Sequence, residues 1–170
     1  MGSAAESPRL RNNVDRAFRA VATAEQVVAA TLTQILVLPI YARNRAMNAF
    51  RPSREDIAAV FADVAVERAW SSYDAFWSRG PRFFAPDVAV TRAHVVRSED
   101  LGRPARIFPR EYTRLTPFLR PGKLWTAWEY LDADGRTVRS YDGLVLFDDR
   151  WVWLPFPWLA LSGALMIAPR

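Results

Sequence analysis

The stretch that decides the fold runs from Ser53 to Arg79 and reads SREDIAAVFADVAVERAWSSYDAFWSR. At about 100° per residue, four acidic residues fall along one line of a helix, and large apolar residues cover nearly all of the remaining circumference. The acidic residues are Asp56, Asp63, Glu67 and Asp74. This pattern predicts one continuous helix that is exposed to water along a narrow strip and buried elsewhere.

Local signals mark both ends of this predicted helix. Pro52 precedes Ser53, whose hydroxyl can accept a hydrogen bond from a free backbone N–H, and two acidic residues follow in the first turn. Gly80 and Pro81 are expected to end the helix. A helix that is apolar on most sides must be covered by other elements, and the aromatic C-terminal half is the candidate.

The C-terminal half predicts an antiparallel meander with aromatic and β-branched strands at Leu124–Leu131, Thr137–Phe147 and Arg150–Leu154. Turns are expected at Asp132–Gly135 and at Asp148-Asp149. An alternating segment, Asp87–Val96, predicts one more strand. The predicted fold class is therefore α+β, with N-terminal helices followed by a curved antiparallel sheet that wraps a long central helix to form a cone.

Two long runs carry no charge, Val27–Ala42 and Trp151–Ala168. As a helix the first run rises about 24 Å, which is less than the ~30 Å of a hydrocarbon core. We therefore interpret it as a buried core helix, with a membrane-embedded helix as the alternative. In the second run Pro155 and Pro157 argue against a straight spanning helix.

The composition is that of a globular protein with a single domain. The chain has 170 residues, of which 51% are hydrophobic and 24% charged. It lacks cysteine, which excludes disulfides, thiolate metal sites and cysteine nucleophiles. We expect a mobile basic arm at residues 1–20, one α+β domain at 21–158 and an apolar tail at 159–170. An intracellular location is expected, and membrane association remains an open alternative.

The segment Arg103–Lys123 concentrates positive charge and contains four prolines, which hold a chain extended. It predicts a partner-binding strip for an acidic protein surface or anionic lipid, with nucleic acid less favoured. A solvated basic loop without a partner is the plainer interpretation. The candidate binding residues are Arg103, Arg106, Arg110, Arg114, Arg120 and Lys123.

The inventory of catalytic side chains is small. His94 is the single histidine, and an enzyme would place it beside Asp74, Glu129 or Asp142 as a general acid/base pair. A strand histidine bonded to backbone or solvent is the simpler interpretation, so no catalytic residue is favoured. The sequence has no metal-ligand spacing and no phosphate-binding loop, and it predicts no metal and no cofactor.

Aromatic residues of the predicted helix and sheet could line a pocket for a small apolar ligand. The candidates for such a pocket are Tyr73, Trp77, Trp125 and Trp128. The same residues would equally form an ordinary hydrophobic core.

The order of these elements, with a final hairpin that reads YDGLVLFDDRWVWL at Tyr141–Leu154, resembles the cone-shaped fold of the nuclear transport factor 2-like proteins. That superfamily includes polyketide-cyclase-like enzymes and Tim44-like membrane-attached domains. The resemblance extends over roughly residues 20–158. It implies either a His/Asp pair inside the cone, which only His94 with Asp74 or Asp142 would match, or a docking module without catalysis.

Two functional hypotheses follow. The favoured one is a non-catalytic assembly or docking module, an accessory subunit of a larger complex, with or without contact to a membrane. The alternative is a small-molecule isomerase, dehydratase or cyclase with a His/Asp pair in an apolar cone-shaped pocket.

Overall fold

The computed structural model describes residues 8–80, 90–103, 107–147 and 150–162. The N-terminal half is helical, with α1 at Pro8–Leu36, α2 at Ile40–Met47, α3 at Arg54–Val60 and α4 at Asp63–Ser78. The strands are β1 at Val90–Arg97, β2 at Leu124–Leu131, β3 at Thr137–Phe147 and β4 at Arg150–Trp153. Two short helices flank the last three strands, α5 at Tyr112–Leu115 and α6 at Pro157–Ser162. The α+β class and the order of helices before sheet are confirmed.

The sheet is antiparallel and curved, and its strands lie in the order β1-β2-β3-β4. Strands β2 and β3 have the bounds that the sequence predicted, because their hairpin carries its own turn signals. In that turn Asp132 Oδ1 accepts hydrogen bonds of 2.9 Å from the backbone N–H groups of Asp134 and Arg136. The start of the predicted strand at residues 87–89 and the predicted turn at 148–149 lie outside the described residues.

Helix α1 covers the edge of the sheet at β1. Its buried side chains recur at helical spacing, at Ala24, Val28, Leu32 and Ile35. Glu25 Oε1 accepts a hydrogen bond of 2.9 Å from the backbone N–H of Val95. A carboxylate of the helix therefore satisfies a backbone donor that an edge strand would otherwise leave unpaired.

The prediction of one continuous helix over Ser53–Arg79 is wrong. The chain is extended at Phe61, with φ −99° and ψ 148°, and this residue forms a β-bridge with Leu119. Arg120 Nε donates to the carbonyl oxygens of Ala58 and Phe61, at 2.8 and 3.0 Å. The helix breaks because the distant Arg103–Lys123 segment supplies the hydrogen bonds that the end of α3 loses.

The acidic strip is exposed only in part. Asp63 and Glu67 are exposed, but Asp56 is buried at 7% exposure. Ser53 is the expected N-cap; Asp56 completes a capping box with it and also accepts a hydrogen bond from Arg150. Its position in the first turn therefore fixes the helix start and ties α3 to β4.

The run Val27–Ala42 is not a single buried helix, because α1 ends at Leu36 and α2 begins after Pro39. At this corner Val37, Ile40 and Tyr41 are 79%, 57% and 75% exposed. Among the described residues, no helix combines the length and hydrophobicity needed to cross a bilayer.

The two predicted ends of the chain are described in part. Helix α1 begins at Pro8, so residues 8–20 of the expected arm are helical. The first four residues of the expected tail continue into α6, which ends at Ser162. Residues 1–7 and 163–170 lie outside the described residues.

Candidate functional site

Asp142 of β3 and Tyr112 of α5 form the centre of the candidate site. The Tyr112 hydroxyl donates a hydrogen bond of 2.8 Å to Asp142 Oδ1. In the described part of the chain, Asp142 Oδ2 has no hydrogen-bond donor and no cation contacts the carboxylate. Tyr112 therefore holds Oδ1 in place, and Oδ2 can accept a hydrogen bond from a ligand.

A β-bulge at Gly143 places Asp142. The pairing of β2 with β3 shifts so that Thr126 lies opposite Leu144 and Ala127 opposite Asp142, which leaves Gly143 as the extra residue. Gly143 has φ +88°, and a Cβ atom there would lie 2.1 Å from the Leu154 carbonyl oxygen. Glycine thus allows the chain after β4 to lie directly against β3 beside Asp142.

Aromatic rings enclose the Tyr112 side chain, which is fully buried. The rings of Phe108, Trp125 and Trp158 lie 5.2, 5.8 and 5.4 Å from it, all near edge-to-face. Tyr73 of α4 is also fully buried, and its hydroxyl donates to the Pro155 carbonyl oxygen at 3.3 Å. The hydrogen bond to Asp142 therefore forms in a strongly apolar setting.

This setting raises the pKa of Asp142 to about 6. Burial is the main cause; the Tyr112 hydrogen bond lowers the pKa and the charge of Glu111 raises it. Burial and the nearby Asp142 charge raise the pKa values of Tyr112 and Tyr73 well above the ordinary range. Both tyrosines are therefore neutral donors, and of these three groups Asp142 is the one whose pKa lies closest to neutral pH.

A cavity of about 200 Å³ opens beside Asp142. Its lining residues are Arg139, Ser140, Tyr141, Asp142, Trp153, Pro155 and Phe156. Trp153 fixes one wall, because its Nε1 donates to the Asp142 carbonyl oxygen at 2.9 Å. Phe156 forms the rim at 38% exposure, with an unusual φ of +49°. Three of the seven lining residues are thus aromatic, and the lining also includes an acidic residue and an arginine.

The three catalytic candidates are not brought together. His94 Nε2 lies 3.9 Å from Glu129 Oε2, and Glu129 itself accepts hydrogen bonds from Arg92. Asp74 pairs instead with Arg51 at 3.0 Å. His94 and Asp142 both pair with Ala127, from opposite sides, so their Cα atoms are roughly 10 Å apart.

Glu129 is held in its charged form beside His94. Burial raises its pKa, but hydrogen bonds from Arg92 and Thr137 outweigh that effect, so the net pKa is lowered. The His94 ring is 41% exposed at this contact. In the described ranges, no cluster of acidic and histidine side chains is arranged to hold a metal ion.

The four aromatic pocket candidates lie behind the cavity rather than in its wall. Tyr73, Trp77, Trp125 and Trp128 are all buried, at 4% exposure or less. Trp77 and Trp128 contact Trp153 with ring centroids 6.1 and 6.3 Å apart. Trp77 and Trp128 thus pack against lining residues of the cavity, Trp77 against Trp153 and Trp128 against both Trp153 and Tyr141.

Three of the six predicted basic-strip residues make contacts with other residues of this chain. Arg103 pairs with Asp100 at 3.0 Å, and Lys123 Nζ lies 4.7 Å from the centre of the Phe147 ring. Arg120 holds the end of α3, as described above. In the described part of the chain Arg110 and Arg114 are exposed and form no ion pair, while Arg106 lies outside it.

The sequence did not indicate Tyr112 or Phe156 as site residues. Tyr112 lies inside the basic segment Arg103–Lys123, and its partner Asp142 lies thirty residues further along the chain. Phe156 lies between Pro155 and Pro157, and that pattern signalled only a break in a helix. The bulge at Gly143 had no local signal beyond the glycine itself.

Comparison of the chain with protein-family models, with curated proteins and with solved structures found no match in any of the three.

Proposed function

We propose that this protein binds a small organic molecule in the cavity beside Asp142, with the Asp142–Tyr112 pair as its polar anchor. One observation carries the proposal: Asp142 lines a cavity, and its carboxyl group lies in an apolar setting where Tyr112 is its one donor among the described residues. Desolvating a carboxylate without a cation is costly, so such a group is retained where it has a task.

The composition of the cavity supports this proposal. Small-molecule sites are usually concave and aromatic or apolar, with a few polar groups that orient the ligand. Here Tyr141, Trp153 and Phe156 provide the apolar surface, and Asp142 provides the polar group. If chemistry takes place, Asp142 would be its acid or base, because its pKa of about 6 suits proton transfer near neutral pH. The predicted isomerase, dehydratase or cyclase would then depend on Asp142 with Tyr112, without His94.

A fragment screen by NMR tests the proposal. The probe is the indole N–H signal of Trp153, which is bonded to the Asp142 carbonyl group. We expect some small neutral or charged fragments to shift this signal saturably, and Asp142→Asn to weaken their binding about tenfold. Asp134→Asn, in the exposed β2–β3 turn, is the matched control. The proposal is wrong if no fragment shifts the Trp153 signal, or if Asp142→Asn binds the fragments as the wild type does.

A second candidate function is attachment to a membrane surface or a larger assembly, as the docking hypothesis expects. The observation that favours it is the corner between α1 and α2, where Val37, Ile40 and Tyr41 are exposed beside Arg45. Apolar tips next to cations suit an anionic lipid interface. We propose anionic lipid as the partner, with Arg110 and Arg114 as an auxiliary basic site.

Vesicle sedimentation tests this second candidate. We expect the wild type to sediment with phosphatidylglycerol vesicles, and the double variant Val37→Ser, Tyr41→Ser to remain in solution. Val64→Ser removes an equally exposed apolar side chain, 83% exposed on α4, and should have no effect. Equal sedimentation of all three proteins would show that the corner between α1 and α2 does not bind lipid.

The relationship to the nuclear transport factor 2-like proteins stays a prediction.

A further inference from the structure

We infer that the ligand of the Asp142 cavity is a small zwitterion, a methylated ammonium carboxylate, whose ammonium end lies near Asp142 and whose carboxylate end lies near Arg139. This inference rests on the proposed function and specifies the class of ligand. Three features of the cavity carry it: its aromatic wall, its unneutralised acid and the guanidinium at its edge.

The aromatic wall suits a methylated ammonium group. Tyr141 and Trp153 meet near edge-to-face with centroids 6.3 Å apart, and Tyr141 stacks on Trp128 at 5.3 Å, so both rings are held in place. Aromatic faces attract poorly hydrated cations, and quaternary ammonium groups are commonly recognised in this way.

Phe156 adds a third ring under backbone strain. Its φ of +49° is unusual for a residue with a side chain, and the prolines on both sides restrict the chain further. The ring remains 38% exposed and packs against Trp158 at 5.8 Å. A strained, exposed aromatic ring at a cavity rim is the kind of outlier that marks a ligand site.

Among the described residues, no positive charge contacts the Asp142 carboxylate, and the ammonium group of a ligand would supply one. Tyr112 donates to Oδ1 only, and the described residues provide no cation for the carboxylate. Glu111 acts on Asp142 as a second negative charge, so the local field also favours a cation. An ammonium group in the cavity would offset the desolvation of Asp142.

Arg139 determines the other end of the ligand. It lines the cavity, and its side chain hydrogen-bonds to Tyr141. A simple cation would be repelled by this guanidinium, whereas a carboxylate on the same ligand would pair with it. The cavity of about 200 Å³ is smaller than the roughly 300–1,000 Å³ of sites for drug-sized ligands, which also indicates a small molecule.

Three probes of related shape separate these features in a calorimetric titration. Glycine betaine is the zwitterion, 3,3-dimethylbutanoate is its isostere without the positive charge, and choline carries the positive charge without the carboxylate. We expect betaine to bind about tenfold or more tightly than either analogue. Betaine binding should weaken as the pH falls below about 6, where Asp142 takes up a proton.

Two variants with matched controls test the residues. Asp142→Asn should weaken betaine binding about tenfold or more, whereas Asp134→Asn should not. Arg139→Gln should weaken betaine binding but not choline binding, whereas Arg136→Gln, exposed in the adjoining turn, should affect neither. Thermal unfolding of each variant checks that it is folded.

The inference is overturned if 3,3-dimethylbutanoate binds as tightly as betaine, or if Asp142→Asn retains full betaine binding. If neutral fragments shift the Trp153 signal but betaine does not bind, the zwitterion is wrong and the proposed small-molecule site stands. If no small molecule of any charge shifts that signal, both proposals fail.

Discussion

The Tyr112 hydroxyl donates a hydrogen bond of 2.8 Å to Asp142 Oδ1 and thereby joins the proline-rich basic segment to the middle of β3. The hydroxyl group is buried, and the carboxyl group is desolvated. Each group would be costly without the other. This bond therefore supports the cavity wall and sets the charge state of its acid.

Tyr112→Phe should destabilise the protein by about 1 to 3 kcal/mol at neutral pH, because Asp142 loses its only donor in the described part of the chain. It should also raise the pKa of Asp142 further, since the Tyr112 hydrogen bond lowers that pKa. Denaturant unfolding measures the first effect, with Tyr41→Phe, 75% exposed, as the control. Equal stability of the two variants would show that the bond is absent in solution.

Asp142 should make the protein less stable as the pH rises from about 4 to 6. The unfolded carboxyl group titrates near about 4, so in this window the folded state binds more protons than the unfolded state. Above pH 6 the Asp142 carboxyl group is ionised in both the folded and the unfolded state, and its burial lowers the free energy of unfolding by the full ~2 to 3 kcal/mol. Below pH 4 the group is protonated in both states, and this loss is absent.

Asp142→Asn removes this titration, so the difference in unfolding free energy between variant and wild type should change by that amount between pH 4 and pH 7. Other carboxyl groups cancel in the difference. A difference that is independent of pH would contradict the raised pKa.

Gly143→Ala should destabilise the protein by about 3 kcal/mol or more, because the new Cβ atom would collide with the Leu154 carbonyl oxygen at a positive φ. Gly122→Ala is the matched control, with φ +81° and open space around its Cβ position. It should cost only about 1 to 2 kcal/mol. Equal losses in thermal unfolding would mean that the chain after β4 does not approach the bulge closely.

Arg120 should matter for folding, unlike its neighbours in the basic strip. Arg120→Ala leaves the carbonyl oxygens of Ala58 and Phe61 without their donor and should cost about 1 to 3 kcal/mol. Arg114→Ala, which removes an exposed arginine, should change stability by less than about 0.5 kcal/mol. If the two substitutions have the same effect on unfolding, the break between α3 and α4 is not held by Arg120.

The sequence predicted the features that depend on neighbouring residues. The Ser53 N-cap and the β2–β3 hairpin are specified by a few adjacent side chains, and both are present. The break at Phe61 could not be predicted, because no glycine or proline marks it. Its hydrogen-bond partners, Phe118 and Arg120, lie more than fifty residues away.

The residues of the candidate site were also predicted only in part. Asp142 was a candidate only as a possible acid/base partner of His94. The pairing of strands places His94 beside Glu129 instead, and a distant tyrosine reaches Asp142. Side-chain partners across a sheet depend on register, which a bulge such as that at Gly143 shifts.

The most direct test of the central claim is a pH titration of the Asp142 carboxyl carbon by NMR, in the free protein and with a fragment that shifts the Trp153 indole signal. We predict a midpoint near pH 6 in the free protein, which moves when the fragment binds. A midpoint near the ordinary value of about 4, or one that does not move on binding, would contradict the claim that Asp142 anchors a ligand.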